Sequence, residues 1–248
     1  MDNREKVSVV VLAAGEGTRM KSNLAKVLHR VCGKTMIRHV LDTVEEISPD
    51  RVVVVVGHQA DFVKGELNGY NVEFALQKER LGTAHAVLMA EPFFEGYDGN
   101  IIVLNGDTPL LKPSTLIGLI DFHRKNGSVA TVLTAELDDP SGYGRIVRDE
   151  KGELLRIVED KDADDEEKQI KEINSGLFCF DAGSLFPVLH KVDRRNVQGE
   201  YYLTDAIEIF RNDGKKVSAF LCDQKEEVLG VNTVEQLKLA ERLMNCDG

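Results

Sequence analysis

The chain has 248 residues, 42% of them hydrophobic and 29% charged, with a formal net charge of −11. That length buries a substantial core, as one large domain or two closely joined lobes, and no apolar run approaches the roughly 20 residues that span a bilayer. The acidic balance argues against a general nucleic-acid binder, which needs a broad basic surface. The charged opening "MDNREK" and the short strand-like run after it do not make a secretory signal. The four cysteines (Cys32, Cys179, Cys222, Cys246) are widely spaced, with no CxxC pair, so a reducing, cytoplasmic setting is expected.

In chain order, "KVSVVVLA" reads as a strand buried on both faces, as in a parallel sheet. Ile37, Val40, Leu41 and Val44 then fall on one face of a helix. "RVVVVVG" is a second buried strand and "NVEFALQ" a third. Thr83 stands as N-cap of a helix carrying Ala84, Val87 and Leu88. "NIIVLNGD" is a fourth strand, and Leu116, Leu119 and Ile120 mark the next helix face. This alternation predicts an α/β fold with a doubly wound, Rossmann-like sheet that is mainly parallel.

After Val129 the texture changes. "GYGRIVRDEKGELLRIVED" reads as a hairpin with "DEKG" at its turn, and "KDADDEEKQIKE" as an acidic, solvated segment. "INSGLFCFD" reads as a strand, followed by a short helix. A second helix in "EYYLTDAIEIF" has Leu203, Ala206, Ile207 and Phe210 on one face. "VSAFLC" and "EEVLGV" look like closing strands, and Thr233 with Gln236 resembles a capping box opening a last helix. There is no internal repeat and no Pro/Gly/Ser-rich linker, so the second half is a smaller mixed lobe on one unit.

Charge is unevenly placed. Residues 1–40 hold eight Lys/Arg against three acids, a balance of +5, which leaves −16 for the other 208 residues. Much of this positive charge lies in "LAAGEGTRMKSNLAKVLHRVCGK", the loop after the first strand, with Arg19, Lys21 and Lys26 close behind Gly15 and Gly17. A strand ending in such a loop is the usual ligand position on an open α/β sheet. The third glycine of a dinucleotide fingerprint is Met20, and the P-loop's Gly-Lys-Ser/Thr ending is absent. The glycines instead bring backbone amides close to an anion, Thr18 adds a hydroxyl, and Arg19 and Lys26 add two full charges. That makeup suits a polyphosphate.

The same stretch, followed in order by "LQKERLGTAHAV", "NGDTPLL", "DDPSGYGRIVR", "IVEDKDADDEEKQIKEINSGLF", "QGEYYLTD" and "VLGVN", resembles the sugar-1-phosphate nucleotidyltransferases. The nearest resemblance is to the N-terminal uridylyltransferase domain of the bacterial bifunctional enzymes of UDP-N-acetylglucosamine synthesis, over the chain to about residue 232. It implies Mg²⁺-dependent joining of UTP to N-acetylglucosamine 1-phosphate, with pyrophosphate released. The sugar phosphate is already an anionic nucleophile, so no general base is required. What is required is alignment of two anions and neutralisation of charge on the α-phosphorus and leaving group.

Carried over residue by residue, the resemblance implies that Leu12, Ala13, Ala14 and Gly15 line the nucleotide with their backbone. Arg19 steadies the triphosphate, and Lys26 bridges phosphates of both substrates. Gln77, Gly82 and Thr83 read the uracil. Asp107 and Asn232 hold the metal, and Gly144, Glu159 and Asn174, with Asn232, hold the sugar. It implies a transferase domain over 1–232 (nucleotide half about 1–128, sugar half about 129–232) and a C-terminal helix over 233–248. Partners are UTP and a sugar 1-phosphate, without nucleic acid or membrane, in a monomer or small homo-oligomer.

Three departures from the family pattern are visible. Ala25 replaces the usual proline before the loop lysine, and Asn105 stands where close relatives often carry an aromatic. No left-handed β-helix hexapeptides follow, so neither acetyl transfer nor trimerisation by that route is expected of these residues. The alternatives are another sugar 1-phosphate or dTTP in the same reaction, or a non-catalytic nucleotide-sugar sensor. A dinucleotide-dependent oxidoreductase lacks its fingerprint.

Overall fold

The computed structural model describes residues 6–20 and 22–246; Lys21 and the Thr18 hydroxyl, both counted in the loop above, lie outside what is described. In chain order the elements are β1 (Val7–Ala13), β2 (Arg30–Val31), β3 (Lys34–Thr35), α1 (Met36–Glu46), β4 (Arg51–Val56), α2 (Ala60–Glu66), β5 (Glu73–Leu76) and α3 (Thr83–Leu88). There follow β6 (Asn100–Asn105), α4 (Pro113–Asn126), β7 (Ala130–Glu136), β8 (Arg145–Arg148), β9 (Leu154–Val158) and β10 (Glu172–Asp181). The last are α5 (Ala182–Leu189), α6 (Asp205–Asn212), β11 (Val217–Leu221) and α7 (Val234–Leu243).

The main sheet runs β11-β7-β10-β6-β1-β4-β5, with the β8–β9 hairpin attached through β10. Pairings β1/β4, β1/β6, β4/β5 and β7/β11 are parallel, while β10 is antiparallel to both neighbours. Six of the seven path strands therefore share a direction, and β10 alone is reversed. The sheet is α/β, mixed and mostly parallel, as the apolar runs predict.

Those runs are continuous because helices cover both faces. Along β1, Val10 joins the core with Ala86, Phe186 and Ile207 on one side. Val9, Val11 and Ala13 join Ile37, Leu41 and Leu116 on the other. From β1 the chain goes to β4 on one side and, after α3, to β6 on the other. The carboxyl ends of β1 and β6 thus flank a switch point, where Leu12 and Asn105 are register partners.

Four local readings differ from the structure. "EEVLGV" is no strand: Lys225–Val228 is a 3-10 turn that buries Val228 while Glu227 pairs with Lys112 at 2.8 Å. Its alternating apolar residues serve a plug rather than a pleat. Thr83 is not an N-cap, since Gly82 holds that place at φ +116 and the Thr83 hydroxyl accepts from Leu203 N at 2.9 Å. A Cβ at Gly82 would collide with the Tyr201 backbone, so the segment crossing the helix start takes over both residues. Leu203 is buried but precedes α6, which starts at Asp205.

The fourth difference concerns the cysteines. Cys32 and Cys246 form a disulfide across 214 positions, with 5.5 Å between their Cα atoms, whereas Cys179 and Cys222 are free and buried. Linear spacing gives no sign of this pair, because chain closure alone brings the ends together. The strand β7 also has no counterpart in the sequence reading.

Candidate functional site

The loop after β1 doubles back so that Lys26 lies over Gly17. At φ +72, Gly17 would place a Cβ 2.6 Å from Lys26 Cβ, so only glycine permits this stacking. Ala25 takes φ −54, close to the angle a proline ring imposes, and its N–H donates to Gln59 Oε1 at 2.8 Å. Gln59 Nε2 also donates to Asn23 O at 2.7 Å. The loop is therefore pinned by the Gln59 side chain, through an N–H that a proline at position 25 would lack.

Lys26 is the hub. Its Nζ forms an ion pair with Asp107 and donates to Asn232 Oδ1 at 2.9 Å. Arg19 Nη2 reaches the same Asn232 oxygen at 3.0 Å. Asp107 sits just beyond β6, and Val231 N donates to its backbone carbonyl at 2.9 Å, which brings the segment before α7 into the site. Gln236 then holds the Asn232 N–H through its side chain, at 2.7 Å, as part of the α7 capping box. Two oxygens, from Asp107 and Asn232, thus converge on one cationic position. A hard oxygen pair of this kind fits Mg²⁺, which takes one or two protein oxygens together with substrate phosphates.

Two cavities meet at this hub. One, of about 260 Å³, is lined by Leu12, Ala14, Gly15, Gln77, Gly82 and Thr83. The other, of about 240 Å³, is lined by Arg19, Gly144, Glu159, Asn174, Thr204 and Asn232. Leu12, Lys26, Thr83, Asn105 and Asp107 line both and form the shared wall. Of the residues that the resemblance assigns to the site, Ala13 alone lines neither, its side chain being buried in the core beneath the sheet; Gly17 of the loop, which the sequence also counts toward the anion, lines neither as well.

In the first cavity Gln77 is buried, and its Nε2 donates to Gly82 O at 3.1 Å and to His85 Nδ1 at 3.0 Å. With the amide nitrogen so engaged, its oxygen is the group left to accept from a ligand. In the second cavity, burial pushes the Glu159 carboxyl above its usual pKa, and Thr204 Oγ1 donates to it at 3.0 Å. Nearby Asp205 is raised to about 7, first by burial and then by the Glu159 charge. Beside them the "GYG" turn is held by Arg145, which is 2% exposed, bonds to Tyr143 O and pairs with Asp160 at 3.0 Å.

The nucleotidyl transferase family matches residues 8–226 of this chain. The chain belongs to that family. Relatives include the bifunctional protein GlmU of Enterococcus faecalis, 50% identical over 245 residues, which are 99% of this chain and 53% of the relative. GlmU of Halalkalibacterium halodurans is 54% identical over 235 residues, 95% of this chain and 51% of the relative. This nucleotidyl transferase chain spans about half the length of those relatives.

The two cavities also contain residues that the sequence did not single out for them. Tyr143, Ser175, Gly176 and Leu203 line the second cavity, and Arg80 and Glu200 the first. Burial, and then the charge of Asp107, push the Tyr143 hydroxyl above its usual pKa. Arg80 pairs with Glu16 and so ties the glycine loop to the cavity's far side. Ser175 and Gly176 enter through a β-bulge that interrupts the β10/β7 register between Asn174 and Phe178. A bulge forms in response to a neighbouring strand, and only the Gly in "NSG" hints at it in the sequence.

Proposed function

We propose that this chain transfers UMP from UTP to N-acetylglucosamine 1-phosphate in a Mg²⁺-dependent reaction, giving UDP-N-acetylglucosamine and pyrophosphate in the cytoplasm. The observation that carries the reading is the meeting of two cavities at one wall that holds Lys26 and Asp107. UTP takes the cavity of Gln77 and the glycine loop, and the sugar phosphate takes that of Glu159 and Asn174. Both phosphate ends then lie at Lys26. The domain division follows the same line, with a nucleotide half over about 1–128, a sugar half over about 129–232, and α7 beyond.

An oxygen of the sugar phosphate attacks the α-phosphorus in line, and the bond to the β-phosphate oxygen breaks as pyrophosphate leaves. Lys26 holds the two phosphates together, which removes much of the entropic cost of their encounter. Arg19 balances charge growing on the leaving pyrophosphate. Asp107 and Asn232 would hold Mg²⁺, which supplies charge neutralisation to the phosphate oxygens. The Gln77 oxygen accepts from the uracil N3–H; cytosine presents an acceptor there, so CTP is disfavoured. Glu159 accepts from a sugar hydroxyl, and Asn174 and Gly144 close around the N-acetyl face.

Pyrophosphate release, measured with Mg²⁺ over a panel of nucleoside triphosphates and sugar 1-phosphates, tests the assignment. UTP with N-acetylglucosamine 1-phosphate is expected to give the highest kcat/KM. A preference for glucose 1-phosphate would remove the sugar assignment, and no turnover with any pair would make the chain a sensor. Arg19→Ala and Asp107→Ala are each expected to lower kcat by more than about a hundredfold, the scale of one lost transition-state charge contact.

A further inference from the structure

The four cysteines divide into two kinds. Cys179 and Cys222 are buried, and burial pushes both thiols above their usual pKa, Cys179 to about 12, so neither is disposed to exchange chemistry. Cys32 is exposed, at the turn joining β2 to β3, and Cys246 is partly exposed just beyond α7. Their Cα separation of 5.5 Å falls where a disulfide forms without backbone movement.

What this pair joins is a weakly docked helix. Ala240 is the one buried residue of α7, and the small apolar cluster beneath it has Val31, Met36 and Val231 buried, with Leu110, Leu237 and Met244 only partly covered. The residues just ahead of α7 nevertheless reach the site: Asn232 accepts from both Lys26 and Arg19, and its own N–H is held by Gln236 of the helix. One end of α7 is thus joined to the phosphate hub and the other to the β2–β3 turn through sulfur.

We propose that Cys32 and Cys246 form a reversible disulfide clasp that fixes α7 against the β2–β3 turn and, through α7, fixes Asn232 in the site. The oxidant is a small-molecule disulfide of the glutathione type. The Cys32 thiolate attacks one of its sulfurs and expels a first thiolate. The Cys246 thiolate then attacks Cys32 Sγ and expels a second. Two protein thiols lose two electrons and two protons, and one small disulfide becomes two thiols. A dithiol reverses the change by the same exchange.

The clasp is a property of the fold, while its effect on turnover rests on the reading of Asn232 given above. The experiment treats the chain with oxidised glutathione or with dithiothreitol and counts free thiols after denaturation. Two are expected in the oxidised form and four in the reduced form, with a Cys32–Cys246 cross-linked peptide two hydrogens lighter. Amide exchange across residues 232–243 is expected to be about tenfold slower in the oxidised form. The KM for sugar phosphate is expected to rise about threefold or more on reduction, the response of a loosened binding contact. Cys32→Ser and Cys246→Ser are expected to show the reduced-form exchange and KM whatever the treatment. Four free thiols after oxidation, or equal exchange in both forms, would overturn the clasp. Slower exchange at an unchanged KM would uphold the clasp and count against the role of Asn232.

Discussion

The chemistry of single side chains here depends on partners far away in the chain. Lys26, Asp107 and Asn232 meet within hydrogen-bonding reach although more than 200 positions separate the first from the last. Asp205 gives this distance dependence a measurable sign. Its pKa is raised from 3.8 to about 7 by burial, then by Glu159, Asp193, Glu208 and Asp162. The folded state therefore holds a proton that the unfolded state releases between these values, so this contribution to stability is full below pH 3.8 and lost as pH rises to about 7. Asp205→Asn carries no such charge. Calorimetry is expected to show it raising Tm more at pH 8 than at pH 4.5, and an equal shift at both would refute the assignment. The loop cations, Gln77 and Asp107 are legible in the sequence because each sits in a short motif. Asn105 lines both cavities from a motif that also reads well, but its contact with the second cavity exists only because β10 lies beside β6.

Secondary elements were readable wherever their apolar pattern reports a burial they cannot avoid. The runs "VSVVVLA" and "RVVVVV" form β1 and β4 because helices cover both faces of each. The strand β7 hides because "ATVLTAE" carries two threonines, both fully buried. Thr131 finds His123 Nδ1 at 2.8 Å and Thr134 finds Glu172 Oε1 at 2.8 Å, partners that no local pattern shows. The capping box of α7 is the opposite case, since Thr233 and Gln236 satisfy each other across one turn. Thr233→Ala is expected to cost about 1 kcal/mol, the usual worth of an N-cap side chain, read as a lower denaturant midpoint. With Gln236 then less well held, the KM for sugar phosphate is expected to rise as well; an unchanged midpoint would show that α7 does not unfold with the rest.

The molecule as a whole resolves the uneven charge of its first 40 residues. Arg19 and Lys26 turn into the cavities, whereas Lys34 pairs with Asp42 and Arg38 with Glu66, so a run of like charge serves several separate ends. The reversed strand β10 is what joins the two halves. It lies between β6 of the first half and β7 of the second, and its Phe178 and Phe180 stack with ring centroids 5.5 Å apart. Phe180 is fully buried. Phe180→Ala is expected to cost about 3–5 kcal/mol, as a large cavity in a dense core does. A single denaturant transition shifted to lower midpoint is the expected result; two separated transitions would mean that the halves unfold apart.

Composition and local order were enough for the α/β class, the first-half strands and the glycine loop, because burial on both faces and glycine's backbone freedom act over a few residues. The reversal of β10, the bulge that brings Ser175 and Gly176 to the cavity, the Cys32–Cys246 bond and the junction of two cavities at Lys26 were settled by folding. Each requires segments remote in the chain to find one register, and no local pattern carries the energy of that encounter.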